Sequence, residues 1–234
     1  MPALFWDARW VNLNTSSATG DAIRMQAVSS EEFLRWAGEA GIGFHPLYPD
    51  YLTFIPPVDH ARFWLVPADA ASWPGFIATL LSGLDPWTAG YLWPMARRWG
   101  VSHRSGPNEG VRDVVLRGAG IPNGWVGAVR FDRAEVDAVV AVLFAAVTFG
   151  WCGDDDLFFL PDHGRQLVRT DHHDVLHAEC ASERRVGELV AHMAAANYEL
   201  PTELPDWTFI RPAWMGGEAE QNTAADGGRG AGSS

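Results

Sequence analysis

The sequence predicts an α+β fold of three ββα-like units, with a mainly antiparallel sheet and helices packed on one face. Two observations lead there. Short apolar runs ending in Pro, Asp or Gly turns recur along the chain, and pairs of them are followed by stretches with helical apolar spacing. With 47% apolar residues in 234, the chain has enough hydrophobic surface for a substantial core. It reads as a single domain over 1–215, with possible subdomains 1–105 and 106–215.

Ser29 is the expected N-cap of the first helix. Glu32 follows it at capping-box spacing, and Phe33, Trp36, Ala37 and Ala40 fall on one face. The first unit then comprises the strand YLTFIP, a turn at Val58 to His60, the strand ARFWLVP and a helix from about Ser72 to Leu81. In the tryptophan-rich stretch DPWTAGYLWPMARRWG, Asp85-Pro86 reads as an N-cap followed by proline at the first helical position, and Pro94 should end or kink that helix. The second unit takes RDVVLRG as a strand, a turn through Ile121, Pro122 and Asn123, the strand GWVGAVRF, and a helix opening at Asp132 with Glu135 at capping-box spacing. The apolar run Ala138 to Phe149 falls short of the about 20 residues that span a bilayer and reads as a buried helix. The third unit is DLFFLP, a turn at Asp162-His163-Gly164, QLVRT, a turn at Asp171-His172-His173-Asp174, VLHAEC, and a helix from Ser182 to about Asn197. Residues 216–234 carry no apolar side chain larger than alanine and are predicted to form a disordered tail.

All seventeen cationic side chains are arginine; the chain has no lysine. Without an ε-amine there is no internal aldimine, no Schiff-base aldolase, no Walker A loop and no kinase-type lysine. The formal charge of −12 opposes nucleic acid and acidic membranes as partners and favours a basic one. The opening MPALFWDARW lacks the pattern of a secretory signal, and two cysteines, Cys152 and Cys180, are too few for a disulfide framework, so a cytoplasmic location with free thiols is expected. Carboxylates beside Cys152 should suppress its thiolate. No Gly-x-Ser-x-Gly elbow or His-Glu-x-x-His occurs, and the glycines from Gly118 to Gly124, interrupted by Pro122, read as a hairpin loop.

Chemistry concentrates in one place. Five of the eight histidines, His163, His172, His173, His177 and His192, lie between Asp162 and Met193, interleaved with Asp162, Asp171 and Asp174. Imidazole and carboxylate together suit zinc, manganese or iron when three or four converge. Alternation in VLHAEC turns Leu176, Ala178 and Cys180 toward the core and leaves His177 and Glu179 on the opposite, wetter face. Asp and His also suit hairpin turns, the simpler reading of these positions. Asp171-His172-His173 behind an apolar strand resembles the metal-binding signature of the DHH phosphoesterases. The further acidic and glycine–histidine motifs of that family have no counterpart here.

The leading expectation is therefore an acidic cytosolic interaction protein without catalytic activity or cofactor, immunity- or antitoxin-like. Most tryptophans are expected to be core; where exposed, Trp64, Trp87, Tyr91, Trp93 and Trp99, joined by Trp73 and Phe63, would form an aromatic surface that binds a partner protein. The alternative is a metal-dependent hydrolase or metal-binding regulator holding a divalent ion such as Zn or Mn with some of Asp162, His163, Asp171, His172, His173, Asp174 and His177. A third class is small-ligand binding in an aromatic pocket.

Overall fold

A computed structural model describes residues 25–58, 60–100, 107–149 and 155–202. The predicted tail at 216–234, the chain start and Cys152 lie outside the described residues. In chain order the elements are β1 (Gln26–Ser29), α1 (Ser30–Glu39), β2 (Ile42–His45), β3 (Tyr48–Phe54), β4 (Ala61–Leu65), α2 (Trp73–Gly83), β5 (Ala89–Pro94), α3 (Pro107–Gly118), β6 (Gly127–Asp132), α4 (Val136–Phe149), β7 (Leu157–Pro161), β8 (Gln166–Asp171), β9 (Val175–Cys180) and α5 (Glu183–Ala195). Seven strands form one sheet in the order β1-β6-β5-β7-β8-β9-β4, and every neighbouring pair is antiparallel. Strands β2 and β3 make a separate antiparallel hairpin. The α+β class and the antiparallel sheet are as the sequence predicts.

Strand alternation divides the core into two layers. Leu92, Val129, Phe159, Val168 and Leu176 point toward α2, α3, α4 and α5, where Phe76, Leu116, Leu143 and Leu189 meet them. Trp93, Ala128, Phe158, Leu160 and Leu167 point the other way, under Phe33 and Ala37 of α1 and Ile42, Leu52 and Phe54 of the hairpin. Four helices thus share one face, while α1 and the β2–β3 hairpin cover the other. Strands from before and after residue 106 interleave in this sheet, since β5 pairs with β6 and β7, and β4 with β9.

The local start signals act as read. The Ser29 hydroxyl accepts from the Glu32 N–H at 3.2 Å, and the Glu135 carboxylate accepts from the Asp132 N–H at 2.8 Å. Two segments correct the sequence reading. RDVVLRG belongs to helix α3, because Arg112, Leu116 and Ala119 at helical spacing turn inward while Val111 and Val114 stay exposed; the glycines after it link a helix to β6 and do not close a hairpin. The tryptophan-rich stretch holds the interior strand β5 in place of the expected helix. Tyr91 and Trp93 face one layer and Leu92 the other, so the burial period is two and Pro94 closes a strand. Strands β3 and β4 of the first unit belong to different sheets.

Candidate functional site

The β8–β9 turn gathers acids and imidazoles at one corner of the sheet. Register places Arg169 of β8 opposite both Phe158 of β7 and His177 of β9, and alternation puts Leu167, Arg169 and Asp171 on the hairpin-covered face with His177 and Glu179. Asp156, just before β7, reaches the same face. The turn itself needs Asp174 in a left-handed conformation, φ 60°, which aspartate tolerates better than most residues.

Asp171 is the hub. Its Oδ1 accepts from the His173 N–H at 3.0 Å, lies 2.7 Å from His173 Nδ1 and 3.7 Å from His172 Nδ1. Its Oδ2 lies 3.1 Å from Arg169 Nη2 and 3.4 Å from His177 Nε2, the latter off the line of a good hydrogen bond. His172 Nδ1 is hydrogen-bonded at 3.3 Å to Asp156 Oδ2, which also sits 3.7 Å from Arg169 Nη1. The Arg169 guanidinium stacks 4.4 Å over the Tyr51 ring of β3, joining this corner to the hairpin.

These environments push the charges apart. Burial opposes ionisation of Asp171, but the approach of His177, the charge of Arg169 and the hydrogen bonds to His173 outweigh it and hold its carboxyl below the usual range. Burial pushes Asp156 up to about 6, with His172 pulling the other way, and pushes Asp174 likewise up to about 6. The hydrogen bond to Asp156 raises His172, whereas burial lowers His177. Asp171, His172 and His173 offer donor atoms within 4.8 Å of one another, a spread from which a divalent ion can be held.

No family model, curated protein or solved structure matches this chain. The site therefore rests on its own geometry.

Of the residues expected to ligate, Asp171, His172, His173, Asp174 and His177 gather at this corner. Asp162 and His163 do not join them, because they occupy the opposite end of β8, in the β7–β8 turn. There Asp162 accepts from the Thr88 hydroxyl and from the Ala89 N–H at 3.1 Å, tying the turn to β5, and His163 Nδ1 accepts from the Arg165 N–H at 3.0 Å. Sequence reasoning missed Asp156 and Arg169. The alternation that separated His177 from Leu176 also places Arg169 in phase with Asp171, and pairing the two strands across the predicted turn would have found it. The face called wetter is covered: the Glu179 carboxylate is buried, accepting from Thr53 Oγ1 at 2.6 Å and from the Phe54 N–H at 3.1 Å.

The expected aromatic surface is core. Trp64, Trp73, Trp87 and Trp99 are buried on the helix side, Trp93 is buried on the other and stacks on Phe33 at 4.5 Å, and Tyr91 is half-buried. Cys180 is buried as well, and burial pushes its thiol up. A cleft lined by Trp99, Arg112, Leu116, Val142 and Asp155 holds about 30 Å³, room for roughly a water or two.

Among the described residues, the two most exposed large apolar side chains stand at the tip of the hairpin. Leu47 is 77% exposed and Tyr48 62%. The tip is braced: the Leu47 N–H donates to His45 Nδ1 at 3.1 Å, the His45 and Tyr48 rings lie 5.0 Å apart, and Arg97 Nη2 donates to Pro49 O at 2.9 Å and Asp50 Oδ1 at 3.1 Å. The Arg97 guanidinium also lies 4.5 Å over Phe44.

Proposed function

We propose that this chain is an acidic interaction module that binds a basic protein partner, with the β2–β3 tip as its anchor. The observation that carries the reading is the exposure of Leu47 and Tyr48 on a tip held in one shape by His45 and Arg97. An apolar and an aromatic side chain presented in a fixed conformation lose little entropy on docking, which is the profile of interface anchors. The charge of −12 steers a basic surface toward the chain and makes the encounter salt-sensitive.

The test is a photo-crosslinking residue at Tyr48, with the same residue at exposed Arg184 on α5 as control. Adducts to a basic protein at position 48, absent at 184, weakened by salt and abolished by Leu47→Asp, are expected. Equal labelling at both positions, or a partner that binds the Leu47→Asp protein unchanged, removes the reading.

A further inference from the structure

We propose that Asp171, His172 and His173 form a binding site for one divalent transition-metal ion of the zinc class, with Arg169 and His177 holding the carboxylate from behind. The donor set is one carboxylate oxygen and two imidazole nitrogens, all within 4.8 Å. Bonds of about 2.0–2.2 Å in a tetrahedral shell place neighbouring donors roughly 3.3 Å apart. The separations found, 2.7 Å from Asp171 Oδ1 to His173 Nδ1 and 3.7 Å to His172 Nδ1, bracket that value, and the third, between the imidazoles, is within 4.8 Å.

The surroundings fit a loaded site. Metal-ligating carboxylates are themselves held by outer hydrogen bonds, and here Arg169 Nη2 grips Asp171 Oδ2 at 3.1 Å and leaves Oδ1 to face the two imidazoles. His177 Nε2 stands behind the same oxygen, buried and without an aligned partner. Asp156, Asp171 and Asp174 bring three carboxylates to the corner and Arg169 one cation, so negative charge is left for a bound cation when the histidines are neutral. The side chains of His172 and His173 are 22% and 32% exposed, which gives an ion a path in and leaves a position for solvent or for Asp156. Two nitrogen donors favour zinc-class ions over magnesium and calcium, which take oxygen. Asp162 and His163, at the far end of β8, take no part. The site is independent of the hairpin-tip reading, and either can stand without the other.

The experiment titrates ZnCl₂ into the untagged full-length chain, stripped with chelator and dialysed, by calorimetry, with circular dichroism to check the fold. One zinc per chain is expected, with affinity lowered by about tenfold or more in His173→Ala and in His172→Ala. His163→Ala should bind as the wild type does. MgCl₂ should give no comparable heat. Folded wild-type protein that takes up no stoichiometric zinc overturns the proposal, as does unchanged uptake by His172→Ala/His173→Ala. Should the double variant fail to fold, Asp171→Asn and the wild-type stoichiometry decide: uptake unaffected by the amide also overturns it.

Discussion

Replacing Thr53 with valine isolates the polar tie between the β2–β3 hairpin and the main sheet. Thr53 Oγ1 donates to Glu179 Oε1 at 2.6 Å, both side chains are buried, and the other donor to that carboxylate among the described residues is the Phe54 N–H at 3.1 Å. Valine keeps the shape and removes the hydroxyl. A hydrogen bond to a charged group contributes about 1.5–3 kcal/mol, so a loss of about 2 kcal/mol is expected at about pH 8, where the carboxylate is ionised. Burial already raises the Glu179 carboxyl, and Thr53 pulls it back down. Without Thr53 the folded state takes up a proton more readily, so the deficit shrinks as the pH falls, toward the ~1 kcal/mol of a neutral hydrogen bond. Urea unfolding of Thr53→Val, Glu179→Gln and the double variant across pH measures this as a coupling energy. A deficit independent of pH, or one below about 0.5 kcal/mol, would refute the assignment of Thr53 as the donor that makes this buried charge tolerable.

Other outcomes follow from the same geometry. Leu47→Asp combined with Tyr48→Ala should move the melting midpoint by no more than about 2 °C, since little buried area is lost, while abolishing the partner crosslink. Trp93→Ala removes an indole buried between α1 and the sheet and should cost about 3–5 kcal/mol in urea unfolding; a loss under about 1 kcal/mol would contradict its place in the core. Asp156, raised to about 6 by burial, contributes stability that is fully present below its unfolded value of about 3.9 and lost as the pH rises through about 6. Asp156→Asn should therefore flatten the stability curve across that window, and a variant curve parallel to wild type counts against it. Asp171, held low, acts in the opposite sense and only at more acid pH.

The parts of the fold legible in the sequence were those governed by local chemistry. Ser29 and Asp132 mark helix starts because their neighbours' N–H groups need acceptors there, and DLFFLP, QLVRT and VLHAEC follow one another as a meander joined by short turns. What misled was composition without period. Val114 and Val115 suggest a strand, yet Arg112 and Leu116 make α3 amphipathic toward α4, and proline at Asp85-Pro86 imitates a helix start ahead of a strand buried on both sides. The candidate site was half visible. The Asp171-His172-His173 triplet stands out locally, but Asp156 and Arg169 belong to it only through strand pairing. The abundance of tryptophan carries no direction: the sequence suggests that most are core yet leaves an aromatic surface open, and burial in two layers gives Trp64, Trp73, Trp87, Trp93 and Trp99 each its side.

The position of β4 at the sheet edge bears on how the chain is made. Its partner β9 lies more than a hundred residues later, and Thr53 and Glu179 are 126 residues apart. During synthesis the segment ARFWL emerges long before anything can pair with it, and the hairpin waits as long for its carboxylate. Closure is then a late, non-local event, slow by topology, and a polypeptide interrupted before residue 175 leaves an apolar strand edge unpaired. Aggregation of C-terminally shortened chains, rather than retention of a folded N-terminal half, is the behaviour this topology dictates.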